Sequence, residues 1–323
     1  MKFAEINVRI IEDSITDGGS RLVTWEWTYP RFIHAEIMTH RALSRNLASS
    51  RAIPTAKLRQ RVMEAPVVPK HWGANRPGMQ ATDEVGPATA AIAQQSWLAA
   101  RDYCAAMHST FEVMGIHKQV TNRLIEPWMS AVGLVTMTDH ANLFHLRRHK
   151  DAEPHFQELA NKAWELFHEH MPTYRAPGEW HMPFISGQDR IDAHRAARQG
   201  SSPCDTAALV GDALRREQID ILRKVSTGRC ARISYMTHDG RRDLAEDVAL
   251  HDRLAGSAAD GSPMHASPFE HVAQAVGGRK RIKNFEGWMQ YRCLFEHESG
   301  PNTDDRCERC GCWDGRHVAG CVW

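Results

Sequence analysis

No apolar stretch of this 323-residue chain approaches the roughly 18 residues that a membrane-spanning helix needs. Nor is one charge in surplus: 40 Lys and Arg face 39 Asp and Glu, for a formal net charge of +1. That balance excludes a dominant polyelectrolyte partner while leaving room for a local basic groove. The opening residues, MKFAEINVRIIEDSITDGG, lack a long apolar core and a small-residue cleavage site, so no secretion signal is expected. No internal repeat, no G-x-G-x-x-G turn and no G-x-S-x-G elbow is visible, which removes the usual marks of a dinucleotide fold and of a serine hydrolase. With 24% charged and 42% hydrophobic residues, the expectation is a soluble globular protein of one large or two modest domains.

What is present is unevenly placed. Four of the eight cysteines, Cys307, Cys310, Cys312 and Cys321, crowd the last 17 residues, whereas Cys104, Cys204, Cys230 and Cys293 are scattered. A secreted disulfide scaffold is shorter and more evenly stapled, so a reducing, cytoplasmic setting is expected. Residues 22–29, LVTWEWTY, alternate as a half-buried strand with Val23, Trp25, Trp27 and Tyr29 on one face. FIHAEIMTHRALSR then reads as helical, and five prolines make residues 54–87 a long irregular excursion. Residues 88–114 carry a helical stripe ending at Gly115, KQVTNRLIE is a short helix before Pro127, and residues 128–138 read as a strand. Asp139 is placed to cap a following helix, and Pro154 sits in the first turn of another that runs to about Met171. Residues 172–204, rich in Pro, Gly and Ser, read as a linker region; 205–225 and 244–254 as helices; and VAQAV as a strand.

The densest polar run is THRALSRNLASSR, residues 39–51. Guanidinium groups bind phosphate bidentately and hydroxyls add oriented donors, so the run is either a phosphate cradle or a solvated helix end and loop. Ser49 lacks both an elbow and an identifiable base, which favours a ligand contact over a nucleophile.

This run resembles the R-H-R-x-x-S-x-N-x-x-S-x-R signature of the flavin-dependent thymidylate synthases, the ThyX family. His40, Arg41, Ser44, Asn46, Ser49 and Arg51 match in type and spacing, while Thr39 stands where the first arginine belongs. NRLIEP (122–127), NLFHLR (142–147) and DAEPHFQELA (151–160) resemble family segments that follow in order. GRCARISY (228–235) and HASPFEH (265–271) resemble the family's N-terminal block, which usually precedes the signature; here its HASPFEH end lies more than 200 residues after it. The order implies a circular permutation, which compact domains with adjacent termini tolerate.

The resemblance implies an α+β fold: a twisted antiparallel sheet flanked by helices, circularly permuted, with a Cys-rich C-terminal tail. It divides the chain into a signature-bearing part (1–183), a linker (184–204), a part matching the N-terminal block (205–300) and the tail (301–323). It further implies FAD as cofactor, NADPH and methylenetetrahydrofolate as co-substrates, a pyrimidine deoxynucleotide monophosphate as substrate, and a homotetramer whose sites combine several subunits. The activity implied is one-carbon transfer to C5 of dUMP. By the match, Arg147 is the catalytic guanidinium, stabilising charge on the pyrimidine edge, although RRHK (147–150) also reads as a basic helix end. Ser49, Ser50, Arg51 and Arg123 are implied substrate contacts, and Thr39, His40, Arg41, Asn142 and Ser267 flavin contacts. Leu47 and Glu36 stand where the family usually has Glu and a nucleotide-side glutamine. A carboxylate at 36 suits the N4 amino group of cytosine, which leaves a dCMP methylase, or a dCMP or dUMP hydroxymethylase, as the alternative; it also suits an ion pair with a nearby arginine.

The tail reads C-x2-C-x-C-x4-H-x3-C. Cys307, Cys310, His317 and Cys321 form a possible tetrahedral zinc set, against a flexible tail with exposed thiols. A zinc-bearing tail with Arg306, Arg309, Arg316 and Trp313 defines a rival class, a degenerate fold kept as a nucleic-acid-binding module, although nucleic acid is the less favoured partner.

Overall fold

The structure, a computed structural model, describes residues 2–81, 83–199, 207–234, 242–256 and 262–295. The zinc set Cys307, Cys310, His317 and Cys321 therefore lies outside the described residues. In chain order the elements are β1 (Asn7–Ile15), β2 (Arg21–Pro30), α1 (His34–Met38), β3 (Ser44–Leu47), α2 (Thr55–Glu64), α3 (Pro87–Val113), α4 (Lys118–Thr121), β4 (Ser130–Met137), α5 (His140–Arg147) and α6 (Pro154–Glu169). They continue with β5 (Thr173–Tyr174), β6 (Trp180–His181), α7 (Gly187–Gln199), α8 (Ala207–Ser234), α9 (Leu244–Ala255), β7 (Ala273–Ala275), β8 (Arg281–Ile282), β9 (Phe285–Glu286) and β10 (Trp288–Gln290). The fold is mixed α+β. No described helix is long and apolar enough to cross a membrane.

A five-stranded sheet in the order β3-β4-β2-β1-β5 organises the molecule; only the β1–β5 pairing is parallel. The alternation in β2 places Val23, Trp25, Trp27 and Tyr29 in the main core, all at most 1% exposed, against Leu143, Phe144, Phe156 and Leu159 of α5 and α6. Burying one such aromatic contributes about 3 kcal/mol. The opposite face, expected to be solvated, is buried as well. Thr24 and Thr136 are fully buried there and hydrogen-bonded to each other at 2.7 Å. Thr24 meets Nε2 of His181 at 2.8 Å, Thr136 meets Nδ1 of His271 at 2.8 Å, and His181 Nδ1 reaches Ser14 at 2.9 Å. Alternation marks which residues share a face; it does not report what covers the polar one.

The cover comes from the second half of the chain. Helix α8 lies against β3 and β4, and Leu134 of β4 clusters with Cys230 and Ile233. A three-stranded sheet, β10-β7-β6, closes over the rest. Trp180, Leu222, Phe269, Val272 and Tyr291 form its core.

Several local expectations are corrected. The helix expected over FIHAEIMTHRALSR stops at Met38, and the chain turns and enters β3, where Ser44 and Asn46 point inward as hydrogen-bonding groups. The excursion 54–87 opens with α2, whose Leu58 and Val62 bury against Ile125 and Trp128. Most of the expected 184–204 linker is α7, tied down because buried Asp189 receives both terminal nitrogens of Arg229 at 2.8 Å. Asp139 does not cap α5; its carboxylate accepts from Arg281 at 2.7 and 3.0 Å.

Candidate active site

The site is built around the turn between α1 and β3. Arg45 NH1 donates to the carbonyls of Met38 and His40 at 3.1 Å each, which fixes this turn from below. Partial burial lowers the Arg45 pKa, offset by Glu270 and Tyr29. Opposite the turn, α5 begins after the 139–281 ion pair and carries Asn142 and Arg147 on adjoining turns. Between them opens a pocket of about 290 Å³ lined by Thr39, His40, Arg41, Asn142, Leu146 and Arg147, with Ala42, Leu43, Asp139 and Leu143.

Arg147 is held on three sides. Its Nε donates to His40 Nε2 at 2.7 Å, an NH2 hydrogen goes to Thr39 Oγ1 at 3.1 Å, and its guanidinium lies over the Phe156 ring at 4.7 Å. His40 must be neutral to accept. Burial first, then the Arg147 and Arg45 charges, lower its pKa to about 4. Its Nδ1 therefore carries the proton. The hydroxyl at 39 is thus a short acceptor for Arg147, and Thr39 itself also donates to the Glu36 carbonyl at 2.6 Å.

A second cluster sits at the other end of β3. Ser50 donates to Glu126, whose carboxylate also accepts from Arg123 NH1 at 3.2 and 3.3 Å. Asn122 fixes this loop by donating to the carbonyls of Ser50 and Ile53 at 2.7 and 2.9 Å. Its Oδ1 pairs with His108 Nε2 at 3.0 Å. Arg51 is exposed beside this cluster, and Ser49 is half-buried. His34 bonds the Tyr29 hydroxyl through Nδ1 at 3.0 Å; burial and the neighbouring Arg31 and Arg45 lower its pKa to about 4. Glu126 and His34 carry no motif of their own and were not legible in the sequence; the acid directly before Pro127 was the available signal for Glu126.

The structure thus brings Thr39, His40, Arg41, Asn142 and Arg147 to one pocket, and Ser50, Arg51 and Arg123 to a separate cluster. At about 3.3 Å per residue, the extended run from Leu43 to Ala48 separates them by roughly 17 Å within one chain. Leu47 belongs to neither: it lies over Gly133, where an added Cβ would stand 2.1 Å from Leu47 Cδ2. Glu36 forms no ion pair among the described residues, and one of its carboxylate oxygens is buried without a hydrogen-bond partner. Ser267 opens the 3-10 turn Ser267–Glu270, which packs against β3 but does not line the pocket.

That contact joins two distant stretches of sequence. Ser44 Oγ accepts from Gln290 Nε2 at 2.7 Å, and Asn46 Nδ2 donates to the Cys230 carbonyl at 2.8 Å. These two polar residues of the 39–51 run therefore fasten the second half of the chain to β3.

No family model matches the chain, and no curated protein matches it. It is similar to two solved structures of the UMP/dUMP methylase PolB from Streptomyces cacaoi, one bound with 5-Br UMP and one with 5-Br dUMP. The first is 15% identical over 52% of this chain and 92% of that one, with a TM-score of 0.44. The second is 14% identical over 52% and 93%, with a TM-score of 0.43.

Proposed function

We propose that this chain is a flavin-dependent enzyme that transfers a one-carbon unit from methylenetetrahydrofolate to C5 of a pyrimidine deoxynucleotide, with dUMP as substrate and dTMP as product. The observation that carries the reading is the pocket in which a neutral histidine and a hydroxyl orient Arg147. C5 of uracil is a weak nucleophile, and it attacks more readily once N3 ionises and negative charge spreads over N3, O2 and O4. A guanidinium fixed beforehand stabilises that charge without reorganising at the moment of reaction. His40 and Thr39 consume donors on one side of Arg147 and leave its remaining N–H groups for a ligand.

The donor set fits a flavin. Thr39, Arg41 and Asn142 are exposed at the pocket, where they offer a cation, an amide and a hydroxyl beside the apolar wall of Leu143 and Leu146. Its volume, at the lower bound of about 300 Å³ for ligand pockets, suits a ring system rather than a whole dinucleotide. Bound FAD, reduced by NADPH, would supply hydride. In this reading Arg51, Arg123 and Ser50 hold the phosphate at the second cluster, where the phosphate takes over the bonds that Arg123 and Ser50 now give to Glu126. The reading includes a homo-oligomer in which one protomer's pocket meets another's cluster, which their separation within one chain supports.

The alternative rests on Glu36, which does not line the pocket and whose unpartnered oxygen is buried, so a ligand meets it only after the side chain turns outward. A free carboxylate accepts from the N4 amino group of cytosine, which would make the substrate dCMP. The test is purification followed by visible absorbance and NADPH oxidation with each nucleotide. A yellow protein whose NADPH oxidation depends on dUMP supports the main reading; dependence on dCMP alone selects the alternative. A colourless protein that binds nucleic acid in a salt-sensitive way refutes both.

A further inference from the structure

A second concave site lies at the opposite edge of the central sheet. The first pocket borders β3; this one borders β5, four strand spacings or about 19 Å away. It is a cleft of about 500 Å³ whose walls include Arg175, Arg190, Arg215 and Arg216, with Trp180 and Leu222 among its apolar residues. Residue 175 follows β5, residue 190 lies on α7, and residues 215 and 216 lie on α8, so three separate elements bring guanidinium groups together.

The charge in this cleft is only partly neutralised from within. Arg175 gives one terminal nitrogen to Glu12 at 2.9 Å, but its buried Nε has no acceptor. Burial raises the pKa of Glu12, and Arg175 and Arg190 counter that rise. Arg190, Arg215 and Arg216 form no ion pair among the described residues. Of the two carboxylates on the walls, Glu179 is occupied in accepting from the Ala176 amide at 2.9 Å, and Asp212 is exposed on α8. Four cations against the two anions on the walls and Glu12 behind Arg175 leave the cleft with one net positive charge, in a chain that is nearly neutral overall.

The cleft is also positioned rather than loose. Gln218 Nε2 donates to the Arg190 carbonyl at 2.8 Å and fixes α7 to α8, and the Arg175 amide donates to the Ile15 carbonyl at 2.8 Å. Arg223, one turn beyond, lies over Trp180 at 4.7 Å and supports the apolar floor.

We propose that this cleft binds the oligophosphate chain of a nucleoside di- or triphosphate. Guanidinium groups brought to one cleft by separate elements suit adjacent phosphates, each of which accepts paired N–H bonds. The apolar floor and the volume exceed what a phosphate chain needs, and they suit an attached nucleoside. A concave site with cations gathered at one place suits a compact anion better than a strand, which calls for a long basic track.

The test is isothermal titration of the full chain at low ionic strength with ATP, dTTP, inorganic tripolyphosphate and citrate. Arg190→Glu and the double variant Arg215→Glu/Arg216→Glu are titrated in parallel; a circular dichroism melt confirms that each is folded. The proposal expects ATP or dTTP to bind with at least about tenfold loss in each variant, a change of about 1.4 kcal/mol. Tighter binding of the nucleotides than of tripolyphosphate identifies a nucleoside oligophosphate as the ligand; equal binding identifies a free oligophosphate. No binding at millimolar concentration, citrate bound as tightly as tripolyphosphate, or unchanged affinity in both variants overturns the proposal. Tighter binding of a single-stranded oligonucleotide, lost in the same variants, also overturns it. Since the measurement uses neither FAD nor turnover, its failure leaves the proposed enzymatic activity untouched.

Discussion

Arg147 and His40 form a pair in which the electrostatics of one residue sets the usefulness of the other. A protonated imidazole would repel the guanidinium; a neutral one, with a pKa near 4, accepts its Nε and fixes its plane. We expect Arg147→Ala to abolish one-carbon transfer while sparing flavin binding, and Arg147→Lys to lose about 10²-fold in kcat because an ammonium lacks the planar fork. His40→Phe should cost a similar factor through misplacement of Arg147, and His40→Gln should recover part of it by restoring an acceptor. Single-turnover kinetics measured beside flavin absorbance separate these outcomes. A second residue-scale expectation concerns acid. His140 is buried among Trp25, Phe144 and Phe167, and burial lowers its pKa to about 4 from the ordinary 6.5. As pH falls, the unfolded chain takes up this proton first. The native state therefore keeps its full advantage above pH 6.5 and loses about 3 kcal/mol on the way down through pH 4. His34, His40 and His271 add to the same window. His140→Leu should flatten the dependence of urea stability on pH between 6.5 and 4; an unchanged slope would contradict this account.

Elements were legible where one periodicity governed them and illegible where tertiary bonds decided. The 27-residue α3 and the tryptophan face of β2 follow from spacing alone. In contrast, β3 is four residues long and reads as helix continuation, because nothing local announces that Gln290 and Cys230 will bond Ser44 and Asn46. Helix α7 hid inside a polar stretch because its stabilising partner, Arg229, is 40 residues away. That arginine is 2% exposed between Asp189 and Asp247, which are 2% and 1% exposed, and it joins α7, α8 and α9. Burial alone would raise the pKa of Asp189; the bonds from Arg229 and Ser186 hold it well below the usual carboxylate range instead. Asp189→Ala leaves a buried guanidinium half-compensated and should destabilise by about 3–5 kcal/mol in denaturant titration. Helices α8 and α9 also meet closely at Gly228, where an added Cβ would stand 2.4 Å from the Asp247 carbonyl oxygen. Gly228→Ala should cost about 1–3 kcal/mol, and a neutral result would mean that the two helices separate freely.

For the whole molecule, contacts between distant segments matter most. The stretches 39–51 and 265–271 are far apart in sequence yet fold against each other within one chain. The sequence did not disclose that the run 39–51 divides between two places. His40 and Arg41 line the pocket; Ser50 and Arg51 sit beyond β3, and the hydroxyl and amide between them hold the fold together. If complete sites form between protomers, inactive Arg147→Ala and Arg123→Ala chains should restore part of the activity when co-expressed, because some mixed sites then lack neither arginine. Complementation that never rises above the single variants would place the whole site in one chain.

The activity proposed for this arrangement is one-carbon transfer at C5 of a pyrimidine. Mass spectrometry of the products from dUMP and from dCMP, each incubated with the protein, FAD, NADPH and methylenetetrahydrofolate, tests it most directly. The account predicts dTMP from dUMP, with formation abolished by Arg147→Ala. Recovery of both nucleotides unchanged, from protein shown to hold flavin, would contradict it.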